Sequence, residues 1–276
     1  MIYVKKGVKT KIVFVITLSL LLSACGVTAE IPVGVATGET ALSITGEGDW
    51  ASSEEMDVVL PDDEMWPELL FAQGFVKDNV WLPFETKLEV ENIPQNPELP
   101  NGCEITSATI ALNYLRFSVD KVTLSNEYLP MGFPHWAVDP DEAFMGDPAD
   151  DTSFYCQPGP VVEAVNAYLE DVGAEYIAVD ISGASVGELY EWVASGTPVV
   201  VWATRMLESS RYSDSFLLPD GSWPYSNSHC MVLTGYNTES CYLDDPMLEL
   251  SEVSSSLFAQ RYQERGQYAM VIIPTE

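Results

Sequence analysis

The chain has 276 residues, with 42 acidic against 12 basic side chains and a formal net charge of −30. That balance excludes the basic face that phosphate binding needs, so nucleic acid is not an expected partner. Two histidines far apart, and no closely spaced set of His, Cys and carboxylates, leave no zinc pattern, and no metal or other cofactor is expected.

Lys5, Lys6, Lys9 and Lys11 precede an almost unbroken apolar run from Ile12 to Leu22, which ends in Leu22-Ser23-Ala24-Cys25-Gly26. The run is shorter than the ~18–20 residues that cross a hydrocarbon core and has the layout of a secretory signal. The closing box is similar to that of bacterial lipoprotein signals, which implies lipidation of Cys25 and a diacyl anchor on the outer face of a membrane. Segment 1–25 carries four lysines and no acid, so its loss takes the remainder from −30 to −34. The acidity reads as a solvated surface, with a preference for cationic substrates as the sharper alternative.

Residues 26–79 read as an acidic, flexible spacer and lead-in, poor in periodicity up to about Asp63. Aromatic residues return between Met65 and Asn92. The globular part is placed at 80–276, enough for one sizeable core. A helix is predicted from a capping pair at Asn101 and Glu104, with Ile105, Ala108, Leu112 and Leu115 on one face. Gly102 beside Asn101 suggests a tight, exposed start, with Cys103 in the first turn. A second helix follows Gly159-Pro160 through Val161, Val165 and Tyr168 toward Gly173. Glu175 to Asp180 reads as a strand, and Ser185 with Glu188 forms a capping box for a helix that Gly196 ends.

The β-branched run Pro198-Val-Val-Val-Trp-Ala203 predicts a buried strand. Arg205 to Ser228 is a long loop of the kind that often binds or covers a site. Strands at 229–236 and 241–244, a helix through Val253, Leu257 and Arg261, and a closing strand at 268–273 complete an α+β arrangement.

Three residues carry the chemistry. Cys103, at a helix start, gains from unsatisfied N–H groups and the helix dipole, which lower a thiol's pKa. His229 opens the apolar strand Ser-His229-Cys-Met-Val-Leu-Thr-Gly-Tyr, and His135, in a loop-like segment, is the weaker choice of base. Asp245 follows near the open end of the hairpin turning at Asn237 to Ser240. With a plain turn, strand alternation would favour Asp244 over Asp245 as the partner of His229; a bulge, or pairing that ends before Pro246, would restore Asp245. Cysteine, imidazole and carboxylate in that order read as a papain-like thiol enzyme. Cys230 and Cys241 lie several rows apart on successive strands, too far for a disulfide, and are expected as buried thiols; Cys156 has no assigned partner. The acids Asp62-Asp63 and Asp147-Pro-Ala-Asp150-Asp151 read as solvated loops, with calcium at the second the lesser alternative.

Asn101-Gly102-Cys103-Glu104 with its helix, the strand His229–Tyr236 with Gly235, and Asp245-Pro246 together resemble the bacteriocin-processing (double-glycine) cysteine peptidase-like family, a papain-like group, over about Leu88 to Ile273. The resemblance implies a papain-like α+β fold with a Cys-bearing helix packed on an antiparallel sheet carrying the His and Asp. By it Cys103 is the nucleophile, His229 the base and then acid, Asp245 the orienter, and Gln95, upstream of the cysteine, a donor to the oxyanion beside the Cys103 N–H. The chain lacks a further apolar span and a phosphate-binding Gly-rich loop, so processing of exported bacteriocins inside the cell is not implied. The expectation is an extracytoplasmic, lipid-anchored cysteine peptidase acting on a peptide or protein. The alternatives are a cell-wall amidase or transpeptidase with the same triad, and a surface binding protein without turnover.

Overall fold

The β-branched run at 198–203 forms a strand buried on both faces, and the rest of the fold is arranged around it. The structure, a computed structural model, describes residues 2–3, 13–14, 74–78 and 80–275. Ile2–Tyr3 pairs antiparallel with Val13–Phe14. Cys25, the spacer as far as residue 73 and the Asp62-Asp63 pair lie outside the described residues.

In the unit from Ala72 to Glu276, β1 (Gly74–Lys77) and β2 (Val80–Pro83) form a hairpin, followed by the short β3 (Thr86–Lys87). Helix α1 (Cys103–Tyr114) is followed by α2 (Lys121–Tyr128), the parallel pair β4 (Met131–Gly132) and β5 (Phe144–Met145), and α3 (Pro158–Asp171). Then come β6 (Tyr176–Asp180), α4 (Val186–Ala194), β7 (Val199–Thr204), β8 (Ser228–Tyr236), β9 (Ser240–Asp244), β10 (Glu252–Ser254), α5 (Ser255–Glu264) and β11 (Ala269–Pro274). The main sheet runs β10-β9-β8-β7-β11-β6, with β3 added against the end of β8, and every pairing in it is antiparallel.

Both faces of this sheet are covered. Val200, Trp202, Cys230, Val232, Met270 and Ile272 pack toward α1, α2 and α3. Val199, Val201, Ala203, Met231, Leu233 and Val271 pack toward α4 and α5. Double burial explains why β7 reads as continuous apolar sequence where a strand with one wet face would alternate. The fold is papain-like α+β.

Local signals account for several helix ends. Ser185 Oγ accepts from the Glu188 N–H while Glu188 Oε2 accepts from the Ser185 N–H, closing the expected capping box, and Gly196 stops α4 at a φ of +93°. Helix α2 was not anticipated; Asp120 caps it by accepting from the Val122 and Thr123 N–H groups. Val253 belongs to β10 instead of the last helix, which begins at Ser255.

The start of α1 departs from expectation. Its N-cap is Gly102, with no side-chain cap. Asn101 Nδ2 donates to the Asp150 carbonyl and its backbone N–H to that of Pro148, so this residue clamps the 147–151 turn to the helix start. Every residue from Cys103 to Leu112 is buried, so the helix start is enclosed, where an exposed one was expected. A side chain at Gly102 would put a Cβ 2.6 Å from that of Leu99, which is why the chain can close so tightly here.

Candidate functional site

The hairpin of β8 and β9 sets the phase of the site. Near its turn Gly235 faces Tyr242 and Tyr236 faces Cys241; beyond Leu233 the register has shifted by one, so that Val232 faces Asp244. Thr234 is the extra residue of this bulge. Without it Asp244 would share the face of His229; with it, the carboxylate on that face is Asp245. His229 Nε2 and Asp245 Oδ1 are 2.7 Å apart, and both side chains are buried. Asp244 is half-buried elsewhere, near Lys87 and Thr234; burial lifts its carboxyl to about 6, against the opposing effect of those two neighbours.

The loop after β9 is folded around the Asp245 carboxylate. Oδ1 also accepts from the Met247 N–H at 2.8 Å, and Oδ2 from the Glu249 and Leu250 N–H groups at 3.2 and 3.1 Å. Burial alone would raise this carboxyl. The hydrogen bond and charge of His229, with the Met247 and Glu249 N–H groups, outweigh that and hold it below the usual carboxylate range.

Cys103 is the first residue of α1, where its N–H has no acceptor within the helix. Cys230, adjacent to His229 in β8, neighbours its thiol, and the Cys230 backbone acts to lower it. The thiol itself donates to Glu104 Oε2 at 3.2 Å, and among the described residues no hydrogen bond joins it to His229. Burial, then the Glu104 charge, push the Cys103 thiol well up, overriding the lowering expected from the helix start.

Glu104 is the site residue that sequence reasoning assigned to another task. It does not cap α1; its carboxyl is buried, with Oε1 3.4 Å from the Cys156 amide and Oε2 on the Cys103 thiol. Burial raises it to about 7 despite those hydrogen bonds and the nearby His229. The available signal was its setting, as the one charged residue in a helix otherwise built of small, apolar and uncharged side chains.

Gln95 is buried beside the Asp245 loop: its N–H donates to the Pro246 carbonyl, and Asn92 Nδ2 donates to the Asp245 carbonyl. Gln95 Nε2 donates to the Pro100 carbonyl at 2.7 Å, leaving its second hydrogen for another acceptor. Lys121 Nζ holds this turn, donating to the Pro94 and Gln95 carbonyls and pairing with Glu98.

The other candidates are placed elsewhere. His135 sits in a short helical turn among Trp136, Phe154 and Phe216. The acids of the 147–151 turn bond their own loop: Asp147 accepts from the Ala149 N–H and Asp150 from Thr152. Among the described residues no cluster of His, Cys and carboxylates could hold a metal. Cys103, Cys156, Cys230 and Cys241 are all free and buried. The 205–228 loop packs Phe216 and Leu218 near Phe154 and Tyr155 and is pinned at its start by the Arg205–Glu249 ion pair. Among the described residues no helix is long and apolar enough to cross a membrane.

A Bacillus subtilis (strain 168) protein, YvpB, itself uncharacterized, is 28% identical over 181 residues, covering 64% of this chain and 70% of that one. A crystal structure of a C39-like peptidase assignment from Bacillus anthracis superposes with a TM-score of 0.61 at 29% identity, over 70% of this chain and 98% of that one. A double glycine motif protease from an AMS/PCAT transporter, solved with a leader peptide, matches at 14% identity and a TM-score of 0.38, over 69% of this chain and 95% of that one. The model of the Peptidase_C39 like family matches residues 87–270, a span that takes in Gln95, Cys103, His229 and Asp245, and the chain belongs to that family.

Proposed function

We propose that this chain is a cysteine peptidase that hydrolyses amide bonds of a peptide or protein through an acyl-thioester on Cys103, held outside the cell by a lipid on Cys25. The observation that carries the reading is the buried His229–Asp245 contact at 2.7 Å, brought into phase by the Thr234 bulge. With Nε2 turned to Asp245, His229 presents Nδ1 as the nitrogen for the thiol proton. In this mechanism the Cys103 proton passes to Nδ1 as sulfur attacks the scissile carbonyl. The Cys103 N–H and the Gln95 side-chain amide donate to the developing oxyanion. The imidazolium returns its proton to the leaving amine, and His229 then draws a proton from the water that releases the acyl group and regenerates the thiol. Asp245 holds the ring orientation throughout.

Hydrolysis of a peptide library followed by mass spectrometry, with Cys103→Ala beside the native protein, tests the peptidase reading. Cleavage that disappears with Cys103 supports it. Release from muropeptides alone would favour the amidase, and absence of any turnover the binding protein. The support for the anchor is the lysine-led apolar run ending in Ala24-Cys25-Gly26. Incorporation of a labelled fatty acid in cells, lost in Cys25→Ala, is the expected outcome; an unlabelled mature chain would refute it.

A further inference from the structure

The nucleophile's hydrogen-bond partner in this structure is Glu104, which the mechanism above leaves without a task. A buried carboxyl against a thiol acts differently in its two protonation states. Ionised, it accepts the S–H hydrogen and its charge opposes a neighbouring thiolate; neutral, it can donate its own O–H to that thiolate. We propose that Glu104 is a positioning residue that holds the Cys103 thiol hydrogen in the resting enzyme, and that the Cys103–His229 ion pair forms readily only when Glu104 is neutral. This rests on the reading of Cys103 as nucleophile and adds a proton-dependent control of it.

The geometry is specific. Oε2 is 3.2 Å from the thiol and Oε1 3.4 Å from the Cys156 amide, so both oxygens are committed on the α1 side of the sheet. The titratable groups around Glu104 are Cys103 on α1, Tyr155 and Cys156 ahead of α3, and His229 and Cys230 on β8, with Arg265 acting on Tyr155, Cys156 and Cys230. No Lys or Arg forms an ion pair with Glu104 among the described residues. An isolated buried carboxyl of this kind titrates upward, and here it does so to about 7. The control therefore operates in the physiological range: below about 7 the neutral acid supports the thiolate, and above it the carboxylate holds the thiol protonated. Proton balance is simple, since the S–H proton goes to His229 Nδ1 and the Glu104 proton stays on its oxygen.

The test is alkylation of Cys103 by iodoacetamide across pH 6 to 9 in the full chain, with Glu104→Gln and His229→Ala in parallel. The amide keeps a donor and removes the charge, so Glu104→Gln is expected to lower the midpoint of Cys103 labelling by about one pH unit, roughly a tenfold faster rate on the rising limb. An unchanged or slower rate would overturn the proposal. Should His229→Ala label at the native rate, the nucleophile reading is what has failed; should it slow while Glu104→Gln changes nothing, only the role of Glu104 has. An infrared reading covers poor folding of the Gln variant. The native protein should show a protonated-carboxyl band that bleaches as pH rises through about 7 and shifts when Cys103 is blocked. Absence of the band, or indifference to the block, contradicts the proposal.

Discussion

Replacing Asp245 by Asn is the most informative single perturbation, because it changes almost no volume. The carboxylate accepts four hydrogen bonds, two on each oxygen, from His229, Met247, Glu249 and Leu250. An amide keeps one oxygen and sets a donor against the two N–H groups that faced the other. Hydrogen bonds to a charged group contribute about 1.5–3 kcal/mol each, so two lost bonds cost about 3–6 kcal/mol; relief of one buried charge offsets part, leaving about 3 kcal/mol. The pH dependence follows from the depressed Asp245 carboxyl. Its contribution is complete above the unfolded carboxylate value near 4 and is lost as pH falls through the folded value. Urea unfolding followed by tryptophan fluorescence should therefore show a gap of about 3 kcal/mol at pH 7 that narrows below about pH 4. A gap under about 1 kcal/mol at pH 7, or one that stays constant into acid, would refute the view that the 245–250 loop is folded around this charge.

Gly235→Val should destabilise by several kcal/mol, since even a Cβ there would lie 2.6 Å from the Thr86 carbonyl; thermal unfolding reads this, and a native melting point would show that β3 can move away. Lys121→Met releases the Pro94 and Gln95 carbonyls. It is expected to lower peptide turnover about tenfold or more while Cys103 alkylation stays native, and equal loss in both would remove Gln95 from the oxyanion role. Trp202→Phe deletes the 2.9 Å bond from Nε1 to the Cys156 carbonyl in a fully buried setting, and a loss of about 1–3 kcal/mol in urea unfolding is expected. Unchanged stability would mean that the orphaned carbonyl finds another donor.

Much of the fold was legible because its signals are local. The capping box at Ser185 and Glu188, the glycine stop at Gly196 and the β-branched run of β7 each depend on a few adjacent residues. Features set by distant partners were not. Asn101 carries the pattern of a cap, yet its side chain is taken by the Asp150 carbonyl, 49 residues away, and the short β3 is defined by pairing with Gly235 and Tyr236. The choice between Asp244 and Asp245 turned on a bulge at Thr234, where β8 changes neighbours from β7 to β3. Alternation could state that alternative and could not decide it. Glu104 shows the opposite failure: a helix-start acid has a ready local explanation, and only the packing of α1 against β8 reveals a buried carboxyl on the Cys103 thiol.

The central claim is that Cys103 works with His229, and native-state labelling tests it most directly. Brief iodoacetamide exposure at pH 7, digestion and mass spectrometry should find the label on Cys103, which keeps 7% of its surface exposed, with the fully enclosed Cys156, Cys230 and Cys241 protected until the protein unfolds. In His229→Ala the Cys103 rate should fall about tenfold or more, as a thiol loses its cationic partner. Equal labelling of Cys103 with and without the imidazole would contradict the account.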